Sequence, residues 1–328
     1  MLQTFREQIA VEKLTEAAFV SKCPPQKLAN TAPIGYGGCT IAIAVHAACL
    51  TVPRSFNVFV VSGSFLGPAQ TDRRLHCDAE RVRDTRSFAT RRVRVFQLHG
   101  NGAQRACATI LVDFHAREPP LLTYGLPIPP CYGKDANDRN SSLPTSTILE
   151  QAEKSGLITA AAVAGFKTMH NMLDNYFETN HCLAGVGGQN ALGLAKEAVT
   201  SLDHLPIQDK VSAEWTRSRE QLVTHEEKAA ALGFTMDAGL SFLPLTFEHM
   251  YLDDASACST LEFSLRIIVS DVDISQWCLR ERKTIAAAAG RTYSESRLWQ
   301  DGGLVAIMTQ TSILRPLAFA SEKPKSTL

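Results

Sequence analysis

The sequence lacks an excess of charge of either sign and lacks the cysteine spacing of a metal site. Lys plus Arg and Asp plus Glu both number 33, so the formal net charge is zero. No global field therefore draws the protein to nucleic acid or to an anionic membrane, and we expect neither as a partner. The nine cysteines include no CxxC pair. The sequence thus indicates neither a zinc or other metal site nor a disulfide framework.

Long apolar runs are also missing. Residues 1–14 carry charges every few positions, which excludes a secretory signal, and no apolar run approaches the roughly 18 residues of a transmembrane helix. We therefore expect an intracellular, cytoplasmic protein. The last three residues, Ser326-Thr327-Leu328, are similar to a peroxisomal Ser-Lys-Leu terminus but lack its basic middle residue. Peroxisomal import remains an alternative.

Several short catalytic motifs are absent or incomplete. No GxSxG nucleophile elbow occurs, which argues against an α/β-hydrolase. The Gly-rich patch at 185–188 lacks both the Lys-Ser/Thr of a P-loop and a preceding strand, so we predict a turn there. His249 and Asp253 spell HxxxD, but Asp254 replaces the glycine that usually follows this acyltransferase pattern. A pattern this short arises readily by chance.

The chain is organised as two long similar units. Residues 35–50 are small and apolar on every face, which predicts a wholly buried helix. Period-two runs follow it, with hairpin turn chemistry at 99–102, and they predict strands at 56–65, 74–83, 87–98 and 105–114. This order predicts a sheet wrapped around a helix.

A Pro-, Asn- and Ser-rich stretch at 118–145 marks a linker, and a helical stretch is predicted at 147–175. The order of the first unit then recurs. We predict a helix over 220–240 and strands at 257–269, 291–300 and 304–315, with a hairpin turn at 300–303.

Asp237 is the most informative polar residue because its neighbours along the predicted helix are apolar or small. A carboxylate in such a place must be paired, hydrogen-bonded or functional, since burying an unpaired charge costs several kcal/mol. A helix-end Asp that reaches solvent is the alternative. Thr260 and Gln310 lie in predicted strands, where polar residues are common.

A set of motifs in a fixed order resembles the acyl-CoA thioesterase II family. The similarity covers about 1–117 and 210–316. In the first unit the motifs are Gly35–Gly38 before the helix that ends at Thr51–Pro53, Ser64–Pro68 and Val82–Val93; in the second they are Leu232–Asp237, Phe242–Pro244, Thr260–Ser264, Gln300–Ala306 and Met308–Gln310.

The resemblance implies an α+β chain with a double hot-dog fold, that is, two antiparallel sheets each wrapped around a buried helix. It divides the chain into an N-terminal hot-dog domain (1–117), a linker with a helical segment (118–175) and a C-terminal hot-dog domain (176–328). A homo-oligomer remains open.

The resemblance also implies hydrolysis of an acyl thioester by a water held by Asp237, Thr260 and Gln310. The substrate would be an acyl-CoA or a carrier-bound acyl chain, with coenzyme A as part of the substrate and no separate cofactor. Two more residues separate Asp237 from the Phe-Leu-Pro motif than is usual in the family, which makes Gly239 the rival match. Glycine cannot accept a proton, so we assign Asp237.

Substrate contacts are expected from two further groups. Gly37 and Gly38 at the helix start could present free N–H groups to the thioester carbonyl, or could serve close helix packing. Four arginines are candidates for binding the coenzyme A phosphates, although strand arginines also commonly form a solvated face: Arg83, Arg86, Arg91 and Arg92.

Two other function classes remain open. One is a hot-dog lyase, isomerase or cyclase that acts on a polyketide-type or acyl-CoA intermediate, since one fold hosts many reactions. A hydratase of this kind would need an Asp/His pair near the first helix, where His46 has no obvious partner. The other is a non-catalytic acyl-binding protein, against which the three retained polar residues argue.

Overall fold

The computed structural model describes residues 3–317 with gaps at 134, 135, 137 and 139. The α-helices are α1 (Phe5–Ile9), α2 (Gly37–Cys49), α3 (Thr145–Lys154), α4 (Ala160–Tyr176), α5 (Val186–Gln189), α6 (His225–Asp237) and α7 (Leu243–Phe247). The strands are β1 (Val11–Lys13), β2 (Ala18–Ser21), β3 (Phe56–Phe65), β4 (His76–Asp84), β5 (Phe88–Leu98), β6 (Gln104–Ala116), β7 (Ser142–Pro144), β8 (Phe177–Cys182), β9 (Ser212–Ser218), β10 (Ala255–Ile267), β11 (Cys278–Ala288), β12 (Arg291–Gln300) and β13 (Gly303–Pro316).

All of these strands belong to one antiparallel sheet, in the order β1-β2-β4-β5-β6-β3-β10-β13-β12-β11-β9-β8-β7. The first six strands of the chain thus occupy one half of the sheet and the last seven the other half. They meet where β3 pairs with β10, with Gly63 opposite Phe263. The prediction of two separate sheets is not confirmed, because this edge-to-edge pairing makes the sheet continuous.

The two central helices, α2 and α6, pack against each other and join the halves a second time. From Gly38 to Cys49 every residue of α2 is buried, as its small and apolar composition predicts. The Tyr36 hydroxyl donates a hydrogen bond of 2.7 Å to the carbonyl oxygen of Phe234 on α6. Gly233 lets the helices approach closely, since a Cβ there would lie 2.8 Å from Ile41 Cγ2. One core therefore serves both halves of the chain.

Most of the predicted elements are present. Strands β3 and β12 have the predicted bounds, and the predicted turns at 99–102 and 300–303 connect β5 to β6 and β12 to β13. Asp301 and Gly302 both have positive φ, as a tight hairpin of this twist requires. The helix predicted over 147–175 is instead two helices, α3 and α4, because the chain reverses at Gly156, where φ is +76°. The patch at 185–188 enters the short helix α5 rather than forming only a turn.

In the described part of the chain, no helix is long and apolar enough to cross a membrane. All nine cysteines lie in this part, and each has a free thiol. The C-terminal Ser326-Thr327-Leu328 lies outside the described residues.

The shared core predicts that the halves cannot fold apart. Expression of residues 1–120 alone would leave the edge of β3 unpaired and the α6-facing side of α2 exposed to water. We expect this fragment to be insoluble or to lack a cooperative melting transition. Circular dichroism and calorimetry of the purified fragment check this, and a soluble fragment with a sharp calorimetric transition would contradict it.

Two helical glycines provide a matched test of the contact between the central helices. Gly233→Ala places a methyl group against the stiff, branched side chain of Ile41 and should lower the free energy of unfolding, despite the higher helix propensity of alanine. Gly165→Ala on α4 meets nothing within 4 Å. This control should raise stability by about 0.5–1 kcal/mol. Urea unfolding of both variants gives the comparison, and stabilisation by Gly233→Ala would show that α2 and α6 are not in tight contact.

Candidate functional site

Asp237 is the last residue of α6, and its carboxylate is buried in the core. The helix begins with a capping box formed by Thr224 and Glu227. It ends at Asp237 because Ala238 is extended and Gly239 adopts a left-handed conformation with φ of +82°. Asp237 is only 6% exposed. Its Oδ1 accepts a 2.5 Å hydrogen bond from Gln310 Nε2, and the backbone N–H of Gly38 donates to the same carboxylate.

Thr260 completes a chain of three side chains. Its hydroxyl donates a 3.0 Å hydrogen bond to Gln310 Oε1. Gln310 lies on β13 opposite Phe263 of β10, whereas Thr260 lies opposite Ser312 because the register shifts between Thr260 and Glu262. This bulge turns Thr260 to the face of the sheet that carries Gln310. The structure therefore brings together Asp237, Thr260 and Gln310, which the sequence placed on three separate elements.

The electrostatic state of Asp237 follows from its surroundings. Burial raises the pKa of this carboxyl to about 6, although hydrogen bonds from Gln310 and the Gly38 N–H and the charge of Arg280 oppose the rise. A carboxylate of this pKa is ionised at neutral pH and is a stronger base than a solvated aspartate.

The two glycines at the start of α2 differ in their roles. A Cβ on Gly37 would lie 2.8 Å from Asp237 Oδ2, so only glycine leaves this space open. As the first residue of the helix, Gly37 has an N–H without an intrahelical acceptor. Gly38 packs against the Tyr36 ring and the Phe234 carbonyl, and its N–H is used by Asp237. Close packing therefore explains Gly38, whereas Gly37 leaves room for the carboxylate of Asp237 at the start of the helix.

The four arginines of the predicted phosphate cluster lie around the β4–β5 hairpin, away from Asp237. Arg91 is 1% exposed, and its guanidinium donates 2.8 Å to Thr51 Oγ1 and pairs with Asp84 at 2.8 Å. Thr51 follows the C-terminal end of α2, about 20 Å along the helix from its N-terminus near Asp237. Arg91 is thus a buried structural residue, and its assignment to coenzyme A is corrected.

The three other arginines are exposed, and two of them have acidic neighbours. Arg92 pairs with Glu80, and Arg83 lies 3.7 Å from Asp113. Arg86 lies in the turn that joins β4 to β5. The structure does not bring any of these arginines to the site of Asp237.

Two histidines that the sequence analysis weighed as catalytic, His249 and His46, have structural partners. His249 Nε2 lies 2.8 Å from Asp203 Oδ1 rather than against Asp253, so HxxxD does not form a catalytic pair. His46 Nδ1 lies 2.8 Å from the carbonyl oxygen of Ile9. Among the described residues, no group of three or more His, Cys, Asp or Glu side chains is placed to hold a metal ion.

A cavity of about 100 Å³ begins where α6 ends, and sequence reasoning missed it. Thr235, Ala238 and Gly239, which surround Asp237 in the sequence, are on its wall. Its wall includes three buried charged residues from two neighbouring strands: Glu214 on β9 and Arg280 and Arg282 on β11. The alternation of Arg280 and Arg282 is the sequence signal that could have placed both side chains on one face of a strand.

These charges form an ion-pair network. Arg280 Nε donates 2.9 Å to Glu214 Oε1, Arg282 pairs with Glu214 Oε2, and Arg280 also contacts the carbonyl oxygen of Thr235 on α6. Although burial alone would raise it, the charges of Arg280 and Arg282 hold the pKa of Glu214 well below its usual value. Burial lowers the pKa of Arg282 to about 10. Arg282 therefore remains charged at neutral pH.

Comparison with known proteins matches both halves of the chain. Residues 25–115 match the model of the acyl-CoA thioesterase N-terminal domain, and residues 192–314 match that of the acyl-CoA thioesterase C-terminal domain. A search of curated protein sequences found no match.

Solved structures share the fold at low sequence identity. Acyl-CoA thioesterase II TesB2 from Mycobacterium marinum is 16% identical with a TM-score of 0.65, and the alignment covers 97% of this chain and 98% of that one. The tesB protein of Mycobacterium avium subsp. paratuberculosis is 14% identical with a TM-score of 0.64, over 94% and 97% of the chains. A hot-dog-fold protein from Alicyclobacillus acidocaldarius is 14% identical with a TM-score of 0.64, over 96% and 98%.

The fold is accordingly a hot-dog fold built on an antiparallel sheet. The two domain models together span well over half of the sequence and follow each other in the order of the family. The chain belongs to the acyl-CoA thioesterase family, and it is a thioesterase.

Proposed function

We propose that the protein hydrolyses an acyl thioester with a water molecule held by Asp237, Thr260 and Gln310. The observation that carries the proposal is the continuous hydrogen-bond chain from Thr260 through Gln310 to a buried carboxylate beside the open N-terminus of α2. A base, polar groups that orient a water and a free backbone donor are what attack on a thioester carbonyl requires.

In this mechanism Asp237 accepts a proton from the water while the water oxygen bonds to the carbonyl carbon. The negative charge that develops on the carbonyl oxygen lies near the N–H of Gly37 and the positive end of α2, which stabilise it. Collapse of the tetrahedral intermediate breaks the C–S bond. The thiolate leaves readily because a thiol has a reference pKa of about 8.5, and it takes up the proton.

Thr260 and Gln310 fix the geometry of the site. The Gln310 amide cannot rotate without losing either the hydrogen bond from Thr260 or the one to Asp237, so it holds the carboxylate in one orientation. Its burial excludes bulk water from that side, since Gln310 is 0% exposed. Preorganised donors in such a place cost no reorganisation during the reaction.

Replacing the proposed base tests the mechanism most directly. Asp237→Asn keeps the shape of the side chain but cannot accept the proton, so kcat should fall about 10²- to 10⁴-fold. Thr260→Ala and Gln310→Ala should lower kcat less, and neither effect should add to that of Asp237→Asn because all three residues serve one water. Thiol release from acyl-CoA substrates, measured for single and double variants, gives these values.

The matched control is Asp271→Asn, an exposed aspartate that pairs with Arg117. It makes the same chemical change away from the site and should leave kcat unaltered. Hydrolysis by Asp237→Asn at a rate near that of the wild type would exclude Asp237 as the base.

The raised pKa of Asp237 predicts opposite effects of pH on activity and stability. Activity should rise with pH and reach half of its plateau near pH 6, because the base works only when it is deprotonated. Between the unfolded pKa near 4 and the folded value near 6, the native state binds more protons than the unfolded state. Stability is therefore lost as pH rises through this window, by about 3 kcal/mol at most.

Melting curves of wild type and Asp237→Asn between pH 4 and pH 8 measure the stability effect. The melting temperature of Asp237→Asn should rise relative to that of the wild type as pH rises. The two melting temperatures should differ least at pH 4. A difference in melting temperature that does not change with pH would show that the carboxyl titrates alike in the folded and unfolded chains.

A further inference from the structure

The carboxylate of Asp237 lies between the ends of two helices that act on it with opposite sign. It accepts a hydrogen bond from the Gly38 N–H at the start of α2, the positive end of that helix. Asp237 is also the last residue of α6, so it lies at the negative end of its own helix. The described residues include all of α6, and its last turn carries no basic side chain. A positive charge that offsets this helix end therefore comes from another element.

Arg280 on β11 supplies a positive charge at this helix end. Its Nη1 donates a hydrogen bond to the carbonyl oxygen of Thr235, two residues before Asp237. The backbone N–H of Ala238 also reaches this carbonyl, at a longer distance of 3.3 Å. An arginine that binds a carbonyl of the last helical turn acts as a C-terminal cap. Burial raises the pKa of Asp237, and the charge of Arg280 is among the influences that lower it.

The orientation of Arg280 is fixed by its neighbour in the sheet. Glu214 lies directly opposite on β9, and both Nε and Nη2 of Arg280 donate to its Oε1, the former at 2.9 Å. A guanidinium is planar and presents its donors in a fixed fork, so this pairing directs Nη1 to the carbonyl of Thr235. Arg280 is 4% exposed, and water therefore screens its charge little. The end of α6 is thus tied to the β9–β11 pair.

The buried charges at this end of α6 balance when Asp237 is ionised. Arg282 binds Oε2 of Glu214 and lies against Gly239, where a Cβ would overlap its Nη1. Two guanidinium groups therefore share the carboxylate of Glu214, and an ionised Asp237 provides a second negative charge. His181 on β8 approaches Glu214 Oε2 at 3.5 Å. Loss of the charge of Arg280 would leave the carboxylates less well compensated.

Other titratable groups near Asp237 belong to the start of α2. Burial raises the pKa of Tyr36 well above its usual value and that of Cys39 to about 12, and the charge of Asp237 adds to both rises. Both groups are therefore uncharged from pH 4 to pH 9. The neighbour from β13 is the uncharged amide of Gln310. Tyr36, Cys39 and Gln310 thus keep one charge state while Asp237 titrates.

We propose that Arg280 is a positioning residue for Asp237: by capping the C-terminal end of α6, it holds the carboxylate toward the start of α2 and offsets the negative end of the helix. This role rests on the proposed thioester hydrolysis, in which Asp237 is the base. Without Arg280, ionisation of Asp237 would cost more and the end of α6 would be held less firmly.

The pH dependence of activity tests this role. Arg280→Gln removes the charge, so the midpoint of the rise in kcat should move about 0.5–1 pH unit above the wild-type value near pH 6. Arg280→Lys restores the charge but not the planar fork. Its midpoint should stay near that of the wild type, while kcat falls about 3- to 10-fold, the effect of one lost hydrogen bond, at unaltered KM. Thiol release from one acyl-CoA is measured from pH 5 to pH 9.

The matched control is Arg91→Gln. Arg91 is also a buried strand arginine, and its Nη2 donates 3.1 Å to the carbonyl oxygen of Thr51, just beyond the C-terminal end of α2. Its loss should lower the melting temperature without moving the midpoint of the pH profile. Equal midpoints for Arg280→Gln, Arg91→Gln and the wild type would overturn the proposal. If Arg280→Gln does not fold, Arg280→Lys decides, since wild-type kcat at every pH would contradict a positioning role.

Thermal unfolding tests the coupling whether or not any thioester is cleaved. The change in melting temperature caused by Asp237→Asn is measured at pH 4 and pH 8, in the wild type and in Arg280→Gln. An ionised Asp237 costs more without Arg280, so the gain from Asp237→Asn between pH 4 and pH 8 should be larger in the Arg280→Gln background. Equal gains would overturn the proposal even if hydrolysis were seen. Absence of hydrolysis would refute the reaction, while this comparison still judged the coupling.

Discussion

The carboxylate of Asp237 lies in the core where the two halves of the chain meet. Hydrogen-bond donors from both halves offset the cost of burying it. The N-terminal half supplies the Gly38 N–H at the start of α2, and the C-terminal half supplies the Gln310 amide from β13. These donors converge only because α2 packs on α6 while β3 pairs with β10. If either half were absent, the buried carboxylate would lose a hydrogen-bond donor, at a cost in free energy. The site can therefore form only where the two halves meet.

A second set of buried charges is held by strand register. In the pairing of β9 with β11, Arg280 lies directly opposite Glu214, and Arg282 is two positions further along the same face. Both guanidinium groups reach the one carboxylate, and Arg282 fits because Gly239, just beyond Asp237, has no side chain. The loop that ends α6 thus has the carboxylate of Asp237 on one side and the arginines of the cavity on the other.

The sequence predicted those elements in which apolar residues are buried and polar residues are exposed. It missed elements that bury charged residues. Strand β5 alternates between exposed arginine and buried valine from Arg92 to Val95, and Asp237 stood out as a charge in an apolar helix. Strands β9 and β11 gave no such signal, because buried Glu214 and Arg280 break the apolar alternation that marks a half-buried strand. Arg91 was misassigned although its position carried a signal: it has the same parity along β5 as the buried Val93 and Val95, and its guanidinium is buried against Thr51.

The segments that match the family models contain the proposed catalytic residues, whereas the segment between them forms part of the cavity wall. Gly37, Asp237, Thr260 and Gln310 all lie within the two segments that match the family models. The segment between those matches contributes α4 and β8, whose side chains form much of the cavity wall, including His181. No residue of α4 or β8 takes part in the hydrogen bonds that join Thr260, Gln310 and Asp237, so a change in this segment leaves that chain of hydrogen bonds in place. The segment can therefore depart from the family pattern without disturbing the hydrogen bonds around Asp237.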